Sequence, residues 1–172
     1  MEKTMKRSAI ALLAAFCLAA GAETLINKPA LDGKYAAGTW SVPAIKSELV
    51  KERNKVTLKV IENNNSQHPT NGQLMFPWNA NFIAGNHYRL DFTIKASCDW
   101  KADARILLSK APYTTLSTYV FDLKKDQPRK VSMFVNATEN IKGLYRLPCI
   151  CYGTLPAGST LEVSDIKLVQ IN

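Results

Sequence analysis

Residues that build most catalytic and metal sites are scarce in this 172-residue sequence. It contains two histidines, His68 and His87, and neither lies in an HExxH zinc motif. A GxSxG nucleophile motif and a glycine-rich phosphate loop are also missing. A small glycan-active enzyme would need two facing carboxylates, and the candidates occupy ordinary strand or turn positions: Asp91, Asp122, Glu139 and Glu162. We therefore predict no enzymatic activity.

Cysteines are too few, at four, for a disulfide scaffold. Cys17 lies near the N-terminus, and Cys149 and Cys151 are two positions apart in a predicted strand. Their side chains therefore point the same way, and a bond between them would be strained. Three small buried thiols are the favoured interpretation, and a disulfide from Cys98 to either partner stays open.

No apolar run reaches the roughly 20 residues that a membrane-spanning helix needs. Three basic residues, Lys3, Lys6 and Arg7, lie near the start of the sequence. The apolar run Ile10–Ala20 follows them, and small residues up to Ala22 come next. This order is typical of a secretory signal peptide, and a buried N-terminal helix is the alternative. We predict that residues 1–22 are a signal peptide and that residues 23–172 form one secreted or periplasmic domain without membrane insertion.

Basic residues outnumber acidic residues by 22 to 14, which gives a net charge of +8. The basic clusters around Lys51–Lys55 and Lys124–Lys130 lie at predicted strand ends and are not interleaved with stacking aromatics. We therefore predict no nucleic-acid binding. The charge is compatible with attraction to an anionic polysaccharide, and a solvated surface is the simpler explanation.

Apolar and polar residues alternate with period 2 through most of the chain, most clearly in Tyr88–Cys98. The same pattern predicts seven further strands: Lys55–Glu62, Gln73–Trp78, Ala104–Ser109, Thr118–Leu123, Lys130–Asn136, Leu144–Tyr152 and Thr160–Ile171. Pro77 indicates a sheet edge or a bulge, and Ala44–Lys51 is interpreted as one or two helical turns. Short strands separated by turn residues predict an all-β fold, an antiparallel β-sandwich of the jelly-roll type.

Three segments resemble, in the same order, parts of the galactose-binding-like jelly-roll carbohydrate-binding modules of families 4, 9 and 22. They are LINKPALDGKYAAGTW, FIAGNHYRLDFTIKAS and LPAGSTLEVSDIKLV. The resemblance implies a jelly roll that binds a polysaccharide or oligosaccharide. Because one fold serves many functions, the functional part of this implication is an analogy.

The same resemblance implies a structural calcium ion. Some members of these families hold calcium between an acidic residue of the first strand and an Asp of the last strand, and the matching positions are Asp32 and Asp165. Asp32 stands where these families usually have Glu. Calcium takes about six to eight oxygen ligands, so two carboxylates could anchor such a site. Alternatively, Asp32 is a turn residue before Gly33 and Asp165 is a solvated or capping residue. No other cofactor is predicted.

A glycan site needs exposed aromatic rings, because the C–H faces of a sugar stack on a ring while its hydroxyls take polar partners. Polar segments between predicted strands favour exposure of Trp100 and Tyr113, although burial is the usual state of such residues. Trp40 is assigned to the core or its rim. The predicted carbohydrate-binding set contains four aromatics and two arginines: Trp100, Tyr113, Trp78, Tyr119, Arg89 and Arg146.

Two functions remain open. The first is a secreted, non-catalytic carbohydrate-binding module that stacks glycan rings on exposed aromatic side chains. The alternative is a structural or adhesive jelly roll that makes protein–protein contacts at the cell surface. A contiguous exposed apolar patch would favour the alternative.

Overall fold

The structure is a computed structural model that describes residues 23–33, 36–64 and 67–171. The predicted signal peptide, residues 1–22, lies outside the described residues. Within them, no helix is long and apolar enough to cross a membrane.

The described residues form eleven β-strands and one short 3₁₀ turn, Pro69–Asn71. The strands are β1 (Glu23–Asn27), β2 (Gly38–Ser41), β3 (Ile45–Glu52), β4 (Lys55–Asn63), β5 (Gly72–Phe82), β6 (His87–Ala96), β7 (Trp100–Leu108), β8 (Thr115–Leu123), β9 (Arg129–Asn136), β10 (Ile141–Cys151) and β11 (Thr160–Ile171).

The strands form two antiparallel sheets. One sheet has six strands in the order β3-β4-β11-β6-β9, with β1 also paired to β11, and the other has five in the order β2-β5-β10-β7-β8. The chain crosses between the sheets repeatedly, so that neighbours within a sheet are mostly distant in sequence. This arrangement confirms the predicted jelly roll, in which two sheets share one core.

Alternation along the strands places one face of each sheet in the core. In β6, every second residue from Tyr88 to Ala96 is buried, as the sequence predicts. Phe82 packs edge-on against both Tyr88 and Tyr145, with ring centroids 5.0 Å and 5.5 Å apart. The contact of Phe82 with Tyr88 therefore joins the two sheets, and its contact with Tyr145 joins two strands of one sheet.

Of two local predictions, the helical turns were wrong, whereas the edge or bulge at Pro77 agrees with the strand register. The predicted helical turns at Ala44–Lys51 are strand β3, because this segment pairs along β4 from Ile45 to Glu52. Pro77 lies in β5 beyond the part that pairs with β2, which ends at Met75, so β10 is its described strand partner and its other side is a local sheet edge. It faces Arg146, where the register of β10 shifts before Cys149, so the bulge occurs in the neighbouring strand.

Candidate functional site

The outer face of the five-stranded sheet carries rows of side chains set by strand register. Residues directly opposite each other in paired strands share one face of a sheet. Register aligns Trp40, Gln73, Cys151 and Asp103 in one row across β2, β5, β10 and β7. The next rows bring Met75, Cys149 and Arg105 together, and then Pro77, Arg146 and Leu107. Residues far apart in sequence therefore meet on one surface.

These rows form the base of an open groove with a volume of about 500 Å³. Aromatic, amide and guanidinium groups share its lining with smaller side chains: Trp40, Gln73, Arg105, Leu107, Tyr113, Thr115 and Arg146. We call this surface the groove. Its size is within the range of small-molecule sites, and its polar groups are able to fix the orientation of a ligand.

Two aromatic side chains of the groove are exposed. Trp40 on edge strand β2 is 50% exposed, and Tyr113, between β7 and β8, is 55% exposed. Tyr113 adopts a left-handed backbone conformation, with φ of 55°, in a turn where its N–H donates to the carbonyl of Lys110 at 2.8 Å. Both side chains are therefore accessible to a ligand.

Arg146 projects into the groove from the central strand β10. Its Nη1 donates to Oε1 of Gln73 at 2.6 Å, and its guanidinium lies 5.6 Å from the centroid of the Tyr113 ring. A guanidinium over a ring face is held by cation–π attraction. Gln73 and Tyr113 thus orient this cation from two sides.

Arg105 is already paired with a carboxylate. Its Nε and Nη2 donate to the two oxygens of Asp103 at 3.0 Å and 2.7 Å, a bidentate ion pair. Hydrogen bonding to Asp103 raises the pKa of Arg105 above its already high ordinary value. The charge of Arg105 is therefore compensated within the protein.

Two thiols lie beneath the groove, on the side opposite to the main core. Cys149 and Cys151 are buried with Leu107 in a small cluster that Met75 partly covers. A hydrogen bond with Cys151, together with burial, raises the pKa of Cys149 well above its ordinary value. Both are free thiols, as is Cys98, which instead lies near Ser159. The favoured interpretation of three small buried thiols holds for Cys149 and Cys151, whereas Cys98 is unpaired but only partly buried.

Two predicted sugar platforms are buried core residues. Trp100 is not in a loop but begins β7, is 8% exposed, and donates from Nε1 to Oγ1 of Thr154 at 3.1 Å. Trp78 is 1% exposed and donates from Nε1 to the carbonyl of Leu147 at 3.0 Å. The predicted exposure of both rings was wrong, because alternation in β5 and β7 turns them inwards and a backbone or hydroxyl acceptor satisfies each N–H.

Tyr119 and Arg89 lie outside the groove. Tyr119 is 39% exposed, but it stacks on Phe121 at 5.1 Å and accepts a hydrogen bond from Arg129 at 3.3 Å. Its register partner, Ala104, is a core residue, so Tyr119 faces away from the groove. Arg89 belongs to the other sheet. Of the six predicted contact residues, the structure brings only Tyr113 and Arg146 together in the groove.

A second depression, of about 400 Å³, lies around Arg89 on the outer face of the six-stranded sheet. Its charged groups engage one another: Arg89 donates to Asp91 at 2.9 Å, and Ser132 donates to the same carboxylate at 2.6 Å. Phe92 is the aromatic residue of its lining, and this ring is buried. The depression therefore has polar side chains but no stacking surface.

The predicted calcium residues lie near the first and last strands. Asp165 lines a small cleft together with Lys28, Leu31 and Asn54, whereas the exposed Asp32 is not part of that lining. Among residues 23–33, 36–64 and 67–171, no three His, Cys, Asp or Glu side chains are clustered to hold a metal. The described side chains do not by themselves complete a six-oxygen calcium site, so calcium binding at Asp32 and Asp165 stays a prediction.

The predicted set lacks five of the seven groove residues, among them Trp40, Gln73 and Arg105. Trp40 was assigned to the core or its rim, yet it stands on a four-residue edge strand. Gln73 and Arg105 occupy outward positions of alternating strands, and that alternation could have found them. The order of the strands was needed to show that these positions are neighbours.

No protein-family model matches the sequence, and a search of curated proteins also gives no match. Solved structures do resemble the fold. A CBM4 structure superposes with a TM-score of 0.61 at 11% identity, covering 85% of this chain and 93% of that one. The chain has the jelly-roll fold of carbohydrate-binding modules. The N-terminal cellulose-binding domain of Cellulomonas fimi β-1,4-glucanase C gives a TM-score of 0.60 at 18% identity, covering 83% and 96%. The CBM1 module of BiXyn10A also gives 0.60, at 11% identity, covering 87% and 96%.

Proposed function

We propose that this protein is a secreted, non-catalytic carbohydrate-binding module whose groove binds a polysaccharide or oligosaccharide. The observation that carries the proposal is the pair of half-exposed rings, Trp40 and Tyr113, in a groove that also contains the amide of Gln73. Rings supply apolar contact for sugar faces, and the amide offers both a donor and an acceptor for hydroxyls. The fold shared with carbohydrate-binding modules supports the proposal by analogy.

The lining of the groove supports binding without catalysis. A glycosidase places two carboxyl groups about 5–10 Å apart across the bond that it cleaves. No Asp or Glu belongs to the described lining of the groove, and the adjacent Asp103 is occupied by Arg105. A ligand in the groove would therefore meet no free acid–base pair.

Secretion is the part of the proposal that rests on the N-terminal sequence alone. A basic start, a short apolar run and small residues up to Ala22 favour export and cleavage. Expression in a secreting bacterial host, followed by intact-mass measurement, should give a chain that begins at Glu23. A full-length chain retained in the cytoplasm would contradict this part without affecting the groove.

The binding proposal is tested with Trp40→Ala and Tyr113→Ala. Affinity gel electrophoresis against a panel of plant, algal and bacterial polysaccharides first identifies a glycan that the parent protein retains. Each variant should then bind this glycan more weakly by roughly 1–3 kcal/mol, the scale of ring stacking on an aromatic side chain. Their thermal midpoints should stay close to that of the parent, because half-exposed rings contribute little burial.

Phe134→Ala is the matched control. Phe134 is also about half-exposed, but it stands on β9 in the other sheet. Its removal should leave glycan binding unchanged. Equal losses in all three variants would contradict the groove. Failure of the parent protein to bind any glycan, together with a stable protein partner in pull-down, would favour the adhesive alternative.

A further inference from the structure

The charge of the groove is not balanced. Two arginines line it, and no acidic side chain is part of the described lining. Arg105 is neutralised by its bidentate contact with Asp103. The uncompensated charge of the groove therefore comes from Arg146.

Arg146 has only uncharged partners among the residues that the structure describes. It donates to the side-chain carbonyl of Gln73 and lies over the Tyr113 ring, and no described carboxylate is within ion-pair distance of it. Gln73 Oε1 also lies 3.5 Å from the thiol of Cys149, which helps to hold the amide in place. The guanidinium is thus fixed in position but retains unused N–H groups for a ligand.

Because Arg146 lies in the middle of the sheet, a ligand that follows the groove would contact its guanidinium. Strand β10 runs between β5 and β7, and Arg146 stands opposite Pro77 on one side and Leu107 on the other. Neither neighbour offers a polar side chain. A glycan chain that follows the groove would cover the guanidinium and remove water from it.

Removing water from an unpaired cation is costly unless the ligand supplies a compensating group. Sugar hydroxyls compensate a guanidinium only in part. A carboxylate matches its planar pairs of N–H donors with two charge-assisted hydrogen bonds. We propose that the groove selects acidic glycans, in which the carboxylate of a uronic acid residue binds Arg146. This inference rests on the proposed glycan-binding function.

Long-range attraction acts in the same direction but is a separate effect. The secreted chain, without residues 1–22, has 19 basic and 13 acidic residues and a net charge of +6, which draws any polyanion towards the protein, and salt screens that attraction over about 10 Å at 0.1 M. A contact between Arg146 and a carboxylate should instead persist at moderate salt and depend on this one residue. The test must therefore separate local recognition from overall charge.

The first experiment compares acidic polysaccharides with neutral forms of the same chains. Polygalacturonate, alginate and glucuronoxylan are each titrated against the unaltered protein beside a carboxyl-reduced counterpart, in 0.15 M NaCl. At least one acidic polymer should bind roughly tenfold or more tightly than its reduced form, as expected for hydrogen bonds to a charged group. Equal or tighter binding of the neutral forms, or binding to neutral glycans alone, would overturn the inference and leave the proposed function intact. Binding to no glycan of either kind would remove the proposed function itself.

The second experiment uses Arg146→Gln, which removes the charge and keeps a polar side chain. On the acidic polymer that binds, this variant should lose roughly ten- to hundredfold in affinity and should no longer distinguish that polymer from its reduced form. Arg146→Lys keeps the charge without the paired donors and should fall between parent and Arg146→Gln.

Lys130→Gln is the charge control, because it lowers the net charge equally on the outer face of the other sheet. It should bind like the parent. Equal losses in Lys130→Gln and Arg146→Gln would show that overall charge is responsible and would overturn the local contact. The comparison of acidic and reduced polymers uses the unaltered protein, so it tests selection of acidic glycans even where Arg146→Gln does not fold, and Arg146→Lys beside Lys130→Gln then tests the local contact.

Discussion

Trp40, Trp78 and Trp100 all lie in β-strands, yet only Trp40 has an exposed ring. The difference follows from which side of the five-stranded sheet each residue faces. Trp78 and Trp100 face the six-stranded sheet across the core, whereas Trp40 faces solvent beside Gln73. Burial, rather than residue type, therefore separates folding roles from binding roles.

Truncation of Trp100 should destabilise the fold. Trp100→Ala removes a core ring and should lower the free energy of unfolding by about 3–5 kcal/mol, because the cavity it leaves closes only in part. Urea unfolding followed by circular dichroism measures this change. Trp40→Ala, assayed beside it, should change stability by less than about 1 kcal/mol, and similar losses in the two variants would contradict the assigned environments.

Asp91 should make the free energy of unfolding depend on pH in the acidic range. Burial alone raises the pKa of Asp91, but hydrogen bonds from Arg89 and Ser132, with the charges of Arg89 and Lys167, outweigh burial and lower the pKa below its ordinary value of 3.8. A carboxyl group whose pKa is lower in the folded state stabilises the fold above its ordinary pKa. That stabilisation is lost as the pH falls through the lowered pKa.

Asp91→Asn should therefore be less stable than the parent at neutral pH, and its stability should fall less steeply below about pH 4. Denaturant midpoints between pH 2 and pH 7 measure both slopes. Parallel curves for parent and variant would show that Asp91 does not carry this pH dependence. Asp126→Asn is a suitable control, because Asp126 is an exposed acidic residue of the turn before β9.

In the turn after β10, the backbone of Gly153 packs directly against the backbone of the 3₁₀ turn and the residue before it. A Cβ atom at Gly153 would clash with the carbonyl oxygens of His68 and Pro69, in the segment that leads into β5. Gly153 also donates its N–H to the carbonyl of Pro69 at 2.8 Å. The 3₁₀ turn and the end of β10 are therefore held in direct backbone contact.

Gly153→Ala should consequently cost about 1–3 kcal/mol of stability, since the backbone must shift to admit a methyl group. Gly38→Ala is the matched control, because a Cβ atom at Gly38 would have no neighbour within 4 Å. Thermal unfolding of both variants decides the point. A Gly153→Ala protein as stable as Gly38→Ala would contradict the close packing at this turn.

Asp165, one of the two predicted calcium ligands, lies in strand β11 at the register shift between Ser164 and Lys167. If the family resemblance extends to the metal, millimolar calcium should raise the thermal midpoint relative to EDTA, and Asp165→Asn should abolish that rise. Glu139→Gln, which lies far from this end in sequence, should leave the rise intact. Identical midpoints in calcium and EDTA would contradict the prediction.

For the whole molecule, the two sheets have outer faces of different character. The five-stranded sheet and its adjoining turn present two exposed rings and an uncompensated arginine, whereas in the depression on the other sheet Arg89 and Lys167 pair with Asp91. Large exposed apolar side chains are distributed over several strands, including Val50 on β3, Val120 on β8 and Phe134 on β9. This distribution gives the adhesive alternative less support than the groove gives to glycan binding.

Incubation with a polysaccharide that binds should produce no new reducing ends, because the described lining of the groove lacks a carboxylate pair. A reducing-sugar assay over a day, at several pH values, measures this. The Asp103→Asn variant serves as a control for trace activity. Reducing ends that appear with the parent and vanish with this variant would contradict a purely binding role.

Sequence patterns predicted much of the secondary structure. The strand Thr160–Ile171 has the predicted bounds, and the inward set of β6 from Tyr88 to Ala96 is buried as predicted. Alternation is a local property, since neighbouring side chains of a strand must point to opposite faces. β3 was missed because its apolar residues, Ile45, Leu49 and Val50, do not alternate with period 2 on an edge strand that is largely exposed.

The groove could be predicted only in part. Tyr113 and Arg146 were found from local signals, a polar segment between strands and an outward strand position. Trp100 was placed wrongly because the polar residues around it resemble a loop, although β7 begins at this residue.

By itself, the sequence determined which residues alternate inwards and outwards, and hence an all-β fold with one buried face on each sheet. The tertiary structure decided that Trp40, Gln73, Arg105 and Arg146 share one surface. Four separate strands bring these residues together, and the pairing of β2 with β5, β5 with β10 and β10 with β7 sets their register. The physical reason is that side-chain alternation depends on adjacent residues, whereas a binding surface depends on non-local hydrogen bonding between strands.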